Sequence, residues 1–206
     1  FKYLASKKQD KGETPLNTIK EYKLLVQNPL LRGLIYADWI NTVSKSHVQE
    51  VMTSEYGEGL ENTTALIKGK FSGILNGLDK KEFNPRTDPF LKKNYSISTI
   101  KSRVQNKLEL QEVFGLPQDA ETFLFGFVGR LSKQKGLDIL LPIIKRVLDE
   151  FPAQFIFLGG GDSDYKNQLA KLQNKFPNNV STHLHPDFKL PRKVFAGADA
   201  ILIPSI

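Results

Sequence analysis

The sequence predicts an α/β fold built on a doubly wound parallel sheet. Residues 123–128 and 154–158 are apolar, have the length of buried strands, and are each followed directly by glycine. Between them, apolar residues recur every three or four positions from Leu137 to Phe151, which is the period of a helix with one buried face. Strands that alternate with helices in this way are typical of parallel sheets covered by helices on both faces.

The other elements follow from the same patterns. Before residue 70 the sequence predicts an exposed polar loop (6–15), helices over 18–26 and 30–37, a strand over 40–43, a helix over 48–52 capped by Ser44, and a glycine-rich connection over 57–69. After it we expect a strand over 71–75, a turn over 76–79, a helix through Ile100 that stops at Gly115, a helix over 165–176, strands over 180–184 and 200–203, and a short helix over 194–196. The glycine-rich connection divides the chain into a first domain (1–70) and a second (71–206).

Composition excludes several classes of protein. The chain has 206 residues, 40% of them apolar, and a net charge of +7, yet no apolar run reaches the ~18 residues of a membrane span. No basic run is interleaved with aromatic residues, so we expect no nucleic-acid partner. The three histidines lack metal-site spacing, and the absence of Cys excludes disulfides and Cys-based zinc sites and fits an intracellular protein.

Several small or polar loops follow the strands. Parallel strands end at one edge of a sheet, and ligands bind there. We therefore expect the strand-end loops to converge on one cleft, namely residues 76–79, 129–135, 159–162, 185–187 and 204–205.

The loop after the strand 123–128 carries the clearest chemical signal. Gly129 ends the strand, and Arg130 and Lys135 follow it just before a helix begins. Cations are unfavourable at the amino end of a helix unless an anion compensates them. The unpaired N–H groups of that helix end favour an anion as well, so the pattern predicts a site for a diphosphate.

Two further loops are candidates for binding. Gly160, Gly161 and Asp162 form either part of this cleft or only a tight turn with a helix cap. Asn76 and Asp79 lie in a turn motif that is equally compatible with a structural role. No Gly-x-Gly-x-x-Gly turn is present, which argues against a dinucleotide oxidoreductase.

At these residues the chain resembles the starch and glycogen synthases. Each similar segment is modest, but the ordered set is specific. The segments are Tyr36-Ala-Asp-Trp-Ile-Asn-Thr-Val-Ser44, Glu55-Tyr-Gly-Glu-Gly-Leu60, Gly73-Ile-Leu-Asn-Gly-Leu-Asp79 with Phe83-Asn-Pro and Thr87-Asp-Pro89, Gly115-Leu-Pro117, Gly129-Arg-Leu, Gln134-Lys-Gly-Leu-Asp138, Leu158-Gly-Gly-Gly-Asp162 and Ala196-Gly-Ala-Asp-Ala-Ile-Leu-Ile-Pro-Ser205.

The resemblance implies a retaining glucosyltransferase of the GT-B type, with two Rossmann-like domains. It implies that Arg130 and Lys135 hold the diphosphate of ADP-glucose and stabilise the leaving ADP, with Asn76, Asp79, Gly129, Gly160, Gly161 and Asp162 binding substrate. The acceptor would be the non-reducing end of an α-1,4-glucan, with no cofactor, no metal and no membrane or nucleic-acid partner. The implied setting is intracellular, in a bacterial cytoplasm or a plastid.

This chain also departs from the family pattern. Phe83 stands where Trp is commoner, and Pro186 stands where the family often has a Tyr whose ring is expected near the adenine. We expect the chain to be an internal fragment in which both domains are incomplete, and to be inactive alone. Two alternatives remain: another retaining GT-B transferase, sucrose-synthase-like or dependent on a UDP-sugar, and a non-catalytic glucan- or nucleotide-binding module.

Overall fold

The computed structural model describes residues 28–205, which form two compact units that divide between Leu78 and Asp79. The loop expected over 6–15 and the helix expected over 18–26 lie outside the described residues. The first unit contains helix α1 (Pro29–Tyr36), strand β1 (Ile40–Val43), helices α2 (Lys45–Glu50) and α3 (Glu61–Leu66), and strand β2 (Phe71–Ile74).

Strands β1 and β2 pair in parallel, with Ile40 opposite Phe71. The predicted cap is present at the start of α2, where the Ser44 hydroxyl accepts a hydrogen bond from the His47 backbone N–H at 3.1 Å. Helix α3 lies inside the segment that the glycine content predicts to be an irregular connection. Buried Gly57 packs against its first residue: a Cβ at residue 57 would lie 2.5 Å from the Glu61 Cβ, so only glycine fits there.

Strand β2 departs from the expected domain organisation. The sequence places it at the start of the second domain, whereas its backbone pairs with β1 and it belongs to the first unit. The residues that follow it, 76–79, therefore do not extend from the sheet of the second unit. The expectation that they share a sheet edge with the other strand-end loops is therefore wrong. Local sequence did not reveal it, because the partner of a strand depends on contacts distant in sequence.

The second unit contains a four-stranded sheet with helices on both faces. Its elements are a 3₁₀ helix (Ile97–Arg103), α4 (Val104–Val113), β3 (Phe123–Val128), a second 3₁₀ helix (Lys133–Lys135), α5 (Leu137–Glu150), β4 (Ala153–Leu158), α6 (Ser163–Lys175), β5 (Val180–His183), α7 (Leu190–Gly197) and β6 (Ala200–Ile201). All pairings are parallel, in the order β5-β4-β3-β6. The predicted α/β fold with a parallel sheet is confirmed.

Alternation along β3 and β4 divides the core between the two sheet faces. Phe127, Phe155 and Phe157 pack with the buried residues of α5 and α6 on one face. Leu124 and Ile156 pack with α4 and α7 on the other. Since each fully buried side chain of this size contributes roughly 1.5–3 kcal/mol, these two layers hold the strand ends in fixed positions.

Candidate functional site

The loop after β3 is tied to the loop after β4 by backbone hydrogen bonds. The Gly129 N–H donates to the Leu158 carbonyl at 3.0 Å, and the Leu131 N–H donates to the Gly160 carbonyl at 2.9 Å. The Asp162 N–H returns a bond to the Leu131 carbonyl, also at 2.9 Å. These bonds continue the sheet pairing past the strand ends, so the two loops are held as one surface.

Glycine is required where these loops meet. Gly159 and Gly161 have φ angles of 152° and 158°, and a Cβ on either would collide with a backbone oxygen of Gly129 or Leu131. Any side chain would force the two loops apart. A tight turn alone does not account for these glycines, because they also allow the backbones of the two loops to approach closely.

The strand order places a topological switch point between β3 and β6. From β3 the chain proceeds through β4 to β5, and then returns to add β6 on the opposite side of β3. Gly136 adopts a left-handed conformation (φ 67°) at the start of α5, and a Cβ there would collide with the Pro204 carbonyl oxygen. The loop after β6 therefore lies against the amino end of α5, and ligands of open α/β sheets bind in such a crevice.

Arg130 and Lys135 flank this crevice. Within residues 28–205, neither side chain has an acceptor within hydrogen-bond or ion-pair distance. Other cations of the same unit are paired: the Arg192 guanidinium bonds to Asp88 at 2.9 Å, and the Lys107 ammonium to Asp199 at 2.7 Å. Helix α5 begins without a side-chain cap, so its first N–H groups also lack a partner from a capping side chain.

Carboxylates lie beside the crevice on the α5 and α6 side. Asp162 occupies the N-cap position of α6 without making a side-chain capping bond, and Asp138 lies in the first turn of α5. Partial burial, with the nearby charges of Asp138, Asp162 and Asp164, raises the pKa of the Tyr165 hydroxyl.

The loop after β5 lies beside the loop after β4. The His183 carbonyl accepts a hydrogen bond from the Gly159 N–H at 3.0 Å, and Pro186 lies against Gly160. The Asp187 carboxylate accepts bonds from two backbone N–H groups at the start of α7, which lower its pKa. Phe188 follows with 95% of its surface exposed.

The structure brings together Gly129, Arg130, Lys135, Gly160, Gly161 and Asp162 on adjacent loops of one sheet. Asn76 is exposed and follows β2 in the first unit. Asp79 begins the second unit, where its carboxylate accepts hydrogen bonds from the N–H groups of Lys81 and Glu82 at 2.8 and 3.0 Å. Those bonds lower the pKa of Asp79 and describe a turn-capping carboxylate.

Sequence reasoning missed two features of the crevice. One is the contact of Gly136 with Pro204, which depends on the strand order. The other is Ser132, whose buried hydroxyl has no hydrogen-bond partner in the described part of the chain. Its place between the two cations was the available signal.

Residues 28–205 contain no group of three or more acidic or His side chains placed to hold a metal ion. Over the same range, every helix is too short or too polar to cross a lipid bilayer.

Comparisons with known proteins agree with the fold and the motifs. The sequence profile of the starch synthase catalytic domain matches residues 8–65, and that of glycosyl transferases group 1 matches residues 122–206. A glycogen synthase of Thermosipho melanesiensis is 40% identical over 178 residues, and one of Trichodesmium erythraeum is 38% identical over the same length. Each match covers 86% of this chain but only 37% or 39% of the relative. The chain therefore spans less than two fifths of these relatives' length.

Solved structures give the same result. The catalytic domain of starch synthase IV from Arabidopsis thaliana, bound to ADP and acarbose, superposes with a TM-score of 0.81 at 33% identity, covering 87% of this chain and 37% of that one. A glycosyltransferase from Rickettsia africae superposes with a TM-score of 0.56 at 16% identity, covering 91% of this chain and 42% of that one. The second likeness shows the fold alone. Together these matches support the expected GT-B class.

Proposed function

The chain belongs to the starch and glycogen synthase family of glycosyltransferases, and from that membership we propose a function for the protein of which these residues form part. It transfers glucose from ADP-glucose to the non-reducing end of an α-1,4-glucan, and the α configuration is retained. Nucleotide sugar and glucan are accordingly its two partners.

One observation carries this proposal: Arg130 and Lys135, whose side chains have no acceptor among residues 28–205, lie in the loop that follows β3, beside the topological switch point. Breaking a bond between a sugar and a diphosphate leaves negative charge on the departing oxygens. In the proposed reaction Arg130 contacts the diphosphate with its planar fork and Lys135 with its ammonium, and both stabilise that charge without a metal.

The neighbouring loops have supporting roles in the proposal. Gly129, Gly160 and Gly161 keep the floor of the crevice free of side chains, so that backbone and ligand can approach closely. Asp162 is a candidate acceptor for a hydroxyl of the donor. Asn76 remains a candidate contact, while Asp79 acts through the turn that it caps.

The roles of the cations are tested by steady-state kinetics on the complete gene product with ADP-glucose and glycogen. Arg130→Ala and Lys135→Ala are each expected to lower kcat/KM at least a hundredfold, equivalent to about 2.7 kcal/mol of lost transition-state stabilisation. Arg146→Ala and Lys145→Ala are matched controls, because both cations sit in exposed ion pairs on α5. Turnover within threefold of wild type for both site variants would refute the proposed roles.

The choice of nucleotide needs its own measurement. The likeness to a starch synthase bound to ADP favours ADP-glucose, and initial rates with ADP-glucose and UDP-glucose at equal concentration test this directly. A higher rate with UDP-glucose would identify UDP-glucose as the donor. The proposed diphosphate site would be unaffected, because both nucleotide sugars carry a diphosphate. No turnover with either donor, despite binding of ADP or glucan, would favour a non-catalytic module.

A further inference from the structure

A groove with apolar walls lies between α5 and α6, outside the crevice described above. It has a volume of about 350 Å³. Leu137, Leu141 and Pro142 of α5 line one side, and Leu172 of α6 lines the other. Leu137 is fully buried, and Leu141 and Leu172 pack against the same core layer, so the core holds these walls in place. An apolar groove fixed in this way is a preformed binding surface.

The apolar surface continues beyond the groove along α5. Ile139 and Ile143 are 55% and 49% exposed. Ile139 is three residues from Pro142 and four from Ile143, so these three side chains share one face of the helix. A small ligand enclosed by the groove would leave both isoleucines in water, whereas a partner as wide as a helix would cover them as well. The extent of the apolar surface therefore favours a macromolecular partner.

Two lysines give the α6 side of the groove a positive charge. Lys171 and Lys175 line the groove and are exposed, and among residues 28–205 neither ammonium has an acceptor within hydrogen-bond or ion-pair distance. Lys145 of α5 differs, since it pairs with Asp149 at 3.1 Å. Lys171 and Lys175 are four residues apart on one helix face, where like charges repel each other. An anionic partner would relieve that repulsion.

A groove with apolar walls and two unpaired cations suits a partner that is apolar on one face and acidic along its edges. An acidic amphipathic helix has this chemistry, because its apolar side chains recur every three or four residues and carboxylates flank them. Such helices dock into apolar grooves through a few anchoring side chains. We propose that the α5/α6 groove is a docking site for an acidic amphipathic helix of a partner protein. Its apolar face packs on Leu141 and Leu172, and its carboxylates pair with Lys171 and Lys175.

One carboxylate of this chain, that of Asp138, also lines the groove. Asp138 lies in the first turn of α5, where the N–H groups of the helix end offset its charge. The positive end of the groove is therefore at the two lysines of α6, and the acidic residues of the partner belong there. This site is independent of the proposed function, because neither lysine and none of the apolar wall residues has a role in the proposed transfer reaction.

The test measures the binding of a synthetic peptide to the complete gene product by fluorescence anisotropy. The peptide consists of two copies of Glu-Leu-Glu-Glu-Leu-Leu-Glu, and a second peptide has Lys in place of every Glu. The groove variants are the double change Lys171→Glu with Lys175→Glu, and Ile143→Asp. The matched controls are Lys145→Glu, which is exposed on α5 but does not line the groove, and Val113→Asp, which is 48% exposed on α4 at the other face of the sheet.

The wild type is expected to bind the acidic peptide, and the double lysine variant to bind it about tenfold more weakly, because two ion pairs become repulsions. Ile143→Asp should weaken binding about fivefold, since it removes a half-exposed apolar side chain from the interface. Both controls should stay within twofold of wild type. The lysine-containing peptide should bind the double variant more tightly than the wild type, which also shows that this variant is folded.

Two kinds of result would overturn the proposal. One is that the acidic peptide does not bind the wild type, or that the control variants weaken its binding as much as the groove variants do. The other is that the wild type binds phosphatidylserine vesicles but not the peptide, and the double lysine variant loses the vesicles. That result would identify the partner as an anionic membrane surface.

Discussion

Arg192 gives the most direct test of how the second unit is held together. Its side chain is 10% exposed, and its guanidinium lies over the rings of Phe83 and Phe90, at 4.5 and 5.2 Å from their centroids. Its guanidinium pairs with Asp88, itself 6% exposed, at 2.9 Å, and with the Glu82 carboxylate. These contacts fasten the segment after the unit boundary to α7.

Arg192→Ala removes both ring contacts and leaves the Asp88 carboxylate buried without its cation. Breaking a buried pair by removing one partner costs about 3–5 kcal/mol. We expect the lower part of this range, because the Phe90 N–H still donates to Asp88 at 2.9 Å. A loss of about 3 kcal/mol corresponds to a fall in Tm of roughly 6–12 °C for a chain of this length.

The assay is urea unfolding of the 206-residue chain followed by far-UV circular dichroism, because the single tryptophan, Trp39, lies in the first unit. Arg146→Ala is the control, since its pair with Glu150 is 80% and 47% exposed and should contribute no more than about 0.5 kcal/mol. Asp88→Asn combined with Arg192→Ala should cost less than the sum of the single changes. If Arg192→Ala lowers the free energy of unfolding no more than Arg146→Ala does, the contacts of Arg192 (the Arg192 clamp) do not stabilise the unit.

Three further changes test other parts of the account. Gly161→Ala places a Cβ against the Leu131 carbonyl. We expect the free energy of unfolding, measured in urea, to fall by at least about 2 kcal/mol, and ADP binding, measured by calorimetry, to be weaker. Wild-type values in both measurements would contradict this prediction. Asp187→Ala removes the cap of α7 and should cost about 1 kcal/mol at pH 7. The pKa of Asp187 is lower in the folded protein than in the unfolded chain, so its carboxylate stabilises the fold fully above the unfolded value of ~3.9. That stabilisation is lost as pH falls through the folded pKa. A difference in urea midpoint between wild type and Asp187→Ala that is equal at pH 7 and pH 2.5 would oppose this. Gln111→Leu strands the buried Gln154 amide oxygen that Gln111 bonds at 2.8 Å, at a cost of about 1–3 kcal/mol in the same unfolding assay, and an unchanged midpoint would exclude the network.

Local patterns were sufficient to predict the centre of the second unit. The strand 123–128 and the periodic apolar face from Leu137 onward are encoded by adjacent residues, and the structure has both elements at these positions. The place of Arg130 and Lys135 at the end of that strand follows from the same local signals. The proposed diphosphate crevice was therefore visible in the sequence.

Pairings between distant residues were not predictable in the same way. No local signal around residues 71–74 indicates that this strand pairs with β1 and not with β3. Because it pairs with β1, residues 76–79 do not follow a strand of the four-stranded sheet, as the sequence had predicted. The contact of Gly136 with Pro204 depends on β6 returning to the far side of β3. The clamp at Arg192 depends on side chains about a hundred residues apart, and single-sequence periodicity carries no signal for it.

The central claim is that Arg130 and Lys135 bind the diphosphate of the donor. Calorimetric titration of ADP into the wild type, Arg130→Ala, Lys135→Ala and the Lys145→Ala control measures this without requiring turnover. Each site variant should bind ADP about 10- to 150-fold more weakly, equivalent to the 1.5–3 kcal/mol of a hydrogen bond to a charged group, and the control should match the wild type. An ADP affinity within twofold of wild type in both site variants would contradict the account.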